Sequence, residues 1–207
     1  MDSYKILVWG DSIARQNTVP WPEHCQQHLT VSCFCGRPVK FFNIARCGMP
    51  AVSGQNLFDS KVKPKSPHLT IIQFGFNDLR FDASFGANPI ATPEEYKNAM
   101  RNMIRNARST GSDVLVLGNH NFSFGNLILY PNGMNGDEAV ELYRSQAEEA
   151  AKLENADYIN MAEVFQTLGI SPVEATSDGC HLSDCGIRIY TLTVCRYILN
   201  KLLKTNQ

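Results

Sequence analysis

Ser12 closes the tripeptide Gly10-Asp11-Ser12, which follows an unbroken apolar run, Ile6-Leu7-Val8-Trp9. A free hydroxyl is a poor nucleophile, so a serine that attacks a carbonyl carbon needs a base to take its proton. Histidine suits that task, and His181 stands three residues after Asp178. On a tight turn a carboxylate at that spacing reaches one imidazole nitrogen, fixing the tautomer and steadying the imidazolium. The oxyanion that develops needs preorganised donors. The Asn77 amide and the backbone N–H groups of Gly48 and Ser12 supply three if the fold gathers them, and losing one such donor typically costs ~3–4 kcal/mol of transition-state stabilisation. Gly-Asp-Ser alone is ordinary turn chemistry, so its weight comes from where the other residues fall.

They fall after strands. An apolar run bounded by a turn signal, as at residues 6–12, reads as a buried strand of a parallel sheet. A second strand is expected at 39–45, ending in Arg46-Cys47-Gly48. A third is expected at 69–74, ending in Gly75-Phe76-Asn77-Asp78. A fourth, 114–117, runs into Gly118-Asn119-His120, and a short fifth covers 158–161, with Asp178 and His181 beyond it. Helices are expected between them. Pro20-Trp21-Pro22 delays the first to about Pro22, which leaves Ser12 in a loop. A short helix over 52–62 stops before Pro64 and Pro67. A long one opens on the capping box Thr92-Pro93-Glu94-Glu95, carries Tyr96, Met100, Met103, Ile104 and Ala107 at helical spacing, and stops at Gly111. Further helices are expected at 137–153, 162–168 and 184–203. Residues 80–90 read as a loop, and the apolar connection 121–136 as a lid or wall of the site.

Strands alternating with helices make an α/β chain, a three-layer αβα sandwich on a central parallel sheet of about five strands. All strand ends then share one edge, where chemistry gathers in open sheets. No repeat, low-complexity segment or linker interrupts residues 1–207, so a single domain is expected.

The 207 residues are 43% hydrophobic and 19% charged, with a net charge of −1. That balance favours neither nucleic acid nor an anionic membrane surface. There is no charged-then-apolar leader, and no apolar stretch nears the ~20 residues that span a bilayer. The expectation is a cytoplasmic chain. Its seven cysteines are read as reduced thiols. Cys33 and Cys35, with His24, Cys25 and His28 upstream, lack the Cys-x₂-Cys pairs of structural zinc sites, so no metal is expected. The loop from Gly10 to Thr18 lacks the Ser, Thr and Gly run of a phosphate cradle, which argues against a flavin or other cofactor.

Other polar residues near the site take plainer readings. His120 is a competing base, but with no acid three residues before it, it reads as a pocket wall or a structural histidine. Asp11 and Asp78 read as turn-stabilising acids. Arg15 and Arg46 flank the site, where they could hold an anionic leaving group, but arginines so placed are more often surface residues or ion-paired. Cys180, between Asp178 and His181, is read as structural.

The chain resembles the SGNH hydrolase superfamily, the GDSL-type esterases and lipases. Gly10-Asp11-Ser12-Ile13 matches that family's first block, and Asn43 with Gly48 its second. Gly75-Phe76-Asn77-Asp78 matches the third and Asp178-Gly179-Cys180-His181-Leu182-Ser183 the last. The blocks fall in the family's order across residues 10–183. Many members have glycine where Ala45 stands, and the nucleophile does not sit in the Gly-x-Ser-x-Gly turn of α/β-hydrolases. The resemblance implies a flavodoxin-like fold. It also implies catalytic roles for Ser12, Asp178 and His181, and an oxyanion hole of Ser12, Gly48 and Asn77.

The expected activity is hydrolysis of a small-molecule carboxylic ester through an acyl-enzyme, without metal or organic cofactor. A deacetylase or short-chain esterase of a sugar or other small polar substrate suits a chain with no leader and no amphipathic membrane-binding helix. A longer-chain esterase, thioesterase or lysophospholipase would instead use loop 121–136 as an acyl wall. A catalytically silent binding module is the remaining alternative. Retention of Ser12, Asn77, Asp178 and His181 together argues against it.

Overall fold

Strand β1 (Tyr4–Gly10) is buried from Ile6 to Gly10 and lies inside the sheet, with β2 (Val39–Asn43) on one side and β3 (Leu69–Gln73) on the other. The computed structural model describes residues 3–15, 18–31, 38–82 and 88–204. Strands β4 (Asp113–Gly118) and β5 (Asp157–Asn160) complete a five-stranded sheet of order β2-β1-β3-β4-β5. Every pairing is parallel, with Ile6 opposite Phe41 on one side and Leu69 on the other. The three inner strands are apolar on both faces, as a sheet covered on both sides requires. Ile6, Leu7, Trp9, Ile71, Ile72 and Leu115 are fully buried, each contributing about 1.5–3 kcal/mol of hydrophobic stabilisation. The expected α/β three-layer sandwich is the observed fold.

Helices α1 (Trp21–Val31) and α7 (Asp184–Lys204) pack together. Rings of Trp21 and Tyr190 lie 6.1 Å apart between them, and the Cys25 thiol donates to the Thr191 carbonyl at 3.6 Å. Helices α3 (Pro93–Ser109) and α4 (Gly136–Leu153) pack against each other, with Tyr96 and Tyr143 rings 5.3 Å apart. Right-handed crossovers explain the division: the chain steps one way from β1 to β2 and the other way from β2 through β5, which puts α1 on the opposite face from α3 and α4. The order reverses between β1 and β3, the switch point at which a crevice opens beyond the carboxyl ends of the strands.

Several boundaries differ from the sequence expectation. β2 ends at Asn43, whose side-chain oxygen takes the Ala45 N–H at 3.1 Å, although Ile44 and Arg46 still bond to β1 through Val8 and Gly10 carbonyls. The segment expected as a helix over 52–62 begins as α2 (Ala51–Gly54). It continues through irregular helical turns to Lys65, because Pro64 sits in a first turn, where a missing N–H costs nothing. β5 stops at Asn160, since that side chain caps α5 (Met161–Thr167) by accepting from the Ala162 and Glu163 N–H groups. A short helix, α6 (Pro172–Ala175), went unread. Its signal is the capping box of Ser171 and Glu174.

His24, Cys25 and His28 of the cluster weighed for metal lie on α1, whereas Cys33 and Cys35 lie outside the described residues. So does most of the stretch between Phe81 and Pro89, whose two ends pair in an isolated antiparallel bridge. Among the described residues no helix is long and apolar enough to cross a membrane.

Candidate active site

Ser12 begins a single 3-10 turn, Ser12–Ala14, where a loop was expected. Asp11 caps the turn, its Oδ1 accepting the Ile13 N–H at 3.0 Å. Gly10 must be glycine: a Cβ there would stand 2.8 Å from the Gln73 carbonyl oxygen of β3. Asp11 also reaches the third block, since its Oδ2 accepts from Asn77 Nδ2 at 3.4 Å. Asp78 ties the third block to the second by accepting the Ala51 N–H at 2.8 Å, while its backbone carbonyl accepts from Ala91 at 3.0 Å. These acids do stabilise turns, and each also joins two different strand ends.

Asp11 and Asp78 are fully buried. Burial pushes both carboxyls up to about 7, against donors such as the Ile13 and Ala51 N–H groups that pull the other way. Asp78 Oδ2 has no hydrogen-bond partner among the described residues, as suits a carboxyl held partly neutral. Ser12 and Asn77 are buried but for 8% of their surface, whereas Gly48 is exposed at φ +73° within the Arg46–Met49 turn. The three lie in loops leaving β1, β3 and β2, which are neighbours in the sheet.

The histidine arrives from the other side, on the turn between α6 and α7. Thr176 and Leu182 pair across the base of that turn, and Ser177 N–H donates to the His181 carbonyl at 2.8 Å. Asp178 uses its two oxygens differently. Oδ1 accepts the backbone N–H groups of Cys180 at 3.0 Å and His181 at 2.7 Å, which shapes the turn. Oδ2 lies 2.7 Å from His181 Nδ1. Burial raises the Asp178 carboxyl, but the hydrogen bonds from the His181 ring and the two backbone donors outweigh it and hold it at about 2. An ionised carboxylate only accepts, so Nδ1 carries the proton and Nε2 presents its lone pair. Nε2 stands 3.0 Å from Ser12 Oγ. Residues 169 apart in sequence thus meet in the geometry by which an imidazole takes a hydroxyl proton.

His120 is a different kind of histidine. It is buried, and burial lowers it to about 4. Its Nε2 donates to the Cys180 carbonyl at 2.7 Å, so Nδ1 accepts from the Tyr190 hydroxyl at 2.9 Å. Tyr190 in turn accepts from Gln73 Nε2 at 3.2 Å. This relay fastens the middle of the Asp178–His181 turn to the sheet. The expected structural role is the one the geometry describes, although the sequence holds no sign that its partners are Tyr190 and Cys180. Burial pushes the Cys180 thiol up to about 12.

Loop 121–136 contains a 3-10 turn, Gly125–Leu127, and a bridge between Leu129 and Asn135. Its aromatic residues pack in a file: Phe76 and Phe122 rings lie 4.8 Å apart and Phe122 and Phe124 6.2 Å apart. The file ends on the Asp178–His181 turn. Gly179, at φ +89°, leaves the space that Phe124 occupies, since a Cβ there would fall 1.6 Å from the ring. The loop therefore walls the turn, while Leu127 and Leu129 stay exposed.

Known proteins bear on this arrangement. No curated protein matches the sequence. Among solved structures, a lipase/acylhydrolase from Enterococcus faecalis superposes with a TM-score of 0.80 at 18% identity, over 97% of each chain. Axe2, an acetylxylan esterase from Geobacillus stearothermophilus, superposes with a TM-score of 0.76 at 16% identity over 94% of each chain. TesA gives 0.69 at 20% identity over 94% of this chain and 99% of its own. At such identities these likenesses speak to the fold. The model of the GDSL-like Lipase/Acylhydrolase family matches residues 8–189, from within β1 to within α7, and the chain therefore belongs to that family and is a carboxylic ester hydrolase.

Proposed function

We propose that the chain is a serine esterase of small polar substrates, with acetyl or other short acyl groups, working through an acyl-enzyme. The observation that carries this reading is the unbroken contact path from Ser12 Oγ to His181 Nε2 at 3.0 Å and from Nδ1 to Asp178 at 2.7 Å. Ser12 attacks the carbonyl carbon as Nε2 takes its proton. The charge that develops on the carbonyl oxygen is met by the Asn77 amide and the N–H groups of Gly48 and Ser12. His181 then returns the proton to the leaving alcohol, and water, deprotonated by the same nitrogen, releases the acid. Asp178 stays ionised and keeps the ring in the required tautomer throughout. The reaction so written needs no metal or organic cofactor.

The polar half of the reading rests on the cleft beside β2, lined by Arg15, Asn43, Arg46 and Lys61. A charged, hydrogen-bonding surface next to the nucleophile favours a polar substrate over a lipid chain. A longer-chain esterase has one feature in its favour, the exposed Leu127 and Leu129 on the walling loop. A series of p-nitrophenyl esters from acetate to octanoate separates the two, run beside Ser12→Ala. Rates highest on acetate and at background in the variant are expected. Rates that climb steadily to octanoate would sink the short-chain reading, and equal rates in both proteins would sink the mechanism.

A further inference from the structure

The cleft at the carboxyl end of β2 has a volume of about 460 Å³. Its three cations come from three segments, two of them bonded to the Gly10–Ser12 strand end. Arg15 ends the Ser12 turn, its N–H bonded to the Ser12 carbonyl at 3.0 Å. Arg46 N–H donates to Gly10 at 3.0 Å and stands two residues before Gly48. Lys61 lies in the irregular helical stretch after α2. All three side chains are exposed, and none is ion-paired among the described residues.

Several cations elsewhere on the molecule are ion-paired. Arg101 and Arg105 share Glu154, Lys97 bridges Glu94 and Glu149, and Lys201 meets Asp157 at 2.8 Å. Two nearby acids have partners other than these three cations. Asp59 pairs with Lys63 at 3.8 Å, and Glu23 accepts from the Asn43 amide at 3.2 Å. Residues 1–68 hold eight Lys and Arg against four Asp and Glu, one of the four being buried Asp11, whereas residues 69–207 hold eleven against sixteen. A net charge of −1 thus conceals a basic N-terminal third, to which Ser12, Arg15, Arg46 and Lys61 all belong. Three like charges kept together repel one another unless an anion joins them.

We infer that the ester substrate carries a phosphate or carboxylate group, and that Arg15, Arg46 and Lys61 hold it while Ser12 attacks. The inference rests on the esterase reading and names the class of substrate for that same site. Guanidinium groups suit such anions because their planar donor forks match two oxygens at once, with the lysine adding a point charge.

Matched ester pairs test it. Phenyl acetate against 4-acetoxybenzoate places the carboxylate on the leaving group, and phenyl butyrate against monophenyl succinate places it on the acyl group. In at least one pair, kcat/KM at low salt is expected to favour the anion by about ten-fold or more, chiefly through KM, and the advantage should shrink as salt is raised. That ratio should fall toward one in Arg46→Gln and Lys61→Gln, while Lys97→Gln, whose side chain is paired with Glu94 and Glu149, keeps it. A wild-type ratio at or below one in both pairs overturns the inference, as does a ratio that survives both substitutions. Hydrolysis of neutral esters alone, abolished in Ser12→Ala, removes only the anion site. Failure to hydrolyse any of the four esters removes the esterase reading and the anion site together.

Discussion

Asp178 stands with 51% of its side chain exposed on a short turn, and the His181 ring with two backbone N–H groups holds it at about 2. Asp11 and Asp78, on the nucleophile's side, have no exposed surface, and burial pushes both to about 7. One residue type therefore serves two purposes in one site. The acid that orients the histidine is kept ionised by donors. The acids that join the strand ends are kept close to neutral by burial, which in the proposed mechanism spares a developing oxyanion two full negative charges nearby. The histidines divide the same way. His181 is partly exposed and spans Ser12 and Asp178, whereas His120 is buried with both ring nitrogens committed to Tyr190 and Cys180.

Ser12→Ala attacks the exposed side of this comparison hardest. It should lower kcat on p-nitrophenyl acetate by about 10⁶-fold, as loss of a serine nucleophile does, with the melting temperature nearly unchanged. Asp178→Asn should cost about 10⁴-fold, because an amide in that place favours the wrong imidazole tautomer. Wild-type kcat in the Asp178→Asn protein would show that the turn, and not the charge, is what matters there.

The buried side is broken by pH. Asp11 and Asp78 have folded-state values near 7, above the 3.8 of an unperturbed chain, so the native state holds protons that the unfolded chain releases. Their contribution to stability is greatest below about pH 4 and falls as pH rises to 7, by about 4 kcal/mol for one such carboxyl. Asp178 has the opposite sign: its contribution is present above 3.8 and is lost as pH falls toward 2. Buried His120, lowered to about 4, works against this by adding stability as pH rises from 4 to 6.5, so the test is a difference: in urea unfolding Asp11→Asn should lose less stability than wild type between pH 4 and 7. An equal change with pH in the two proteins would contradict the burial argument for Asp11. The smallest effect expected is that of Asn77→Ala, about 10²–10³-fold in kcat from the loss of one oxyanion donor. An unchanged kcat would confine Asn77 to its bond with Asp11.

Much of the site was legible because its blocks are local. Gly10-Asp11-Ser12 follows an apolar run, and Asp178 is three residues from His181, so strand ends and a tight turn announce themselves in sequence. The relay through Gln73, Tyr190, His120 and Cys180 was not legible, since each bond joins residues between 60 and 117 positions apart. Helix α6 has a legible signal in the capping box of Ser171 and Glu174, but its four residues are too few to show a hydrophobic period.

The sequence by itself determined the alternation of strands and helices, the parallel sheet, and the residue types that stand at its carboxyl edge. Hydrophobic periodicity and capping are read within a dozen neighbouring residues, which is why they survive without the fold. Only the tertiary structure decided which of two histidines faces Ser12, which acids are buried and so partly neutral, and that Arg15, Arg46 and Lys61 share one unpaired cleft. Burial and charge pairing depend on what packs against a side chain from distant parts of the chain, and no local pattern records that.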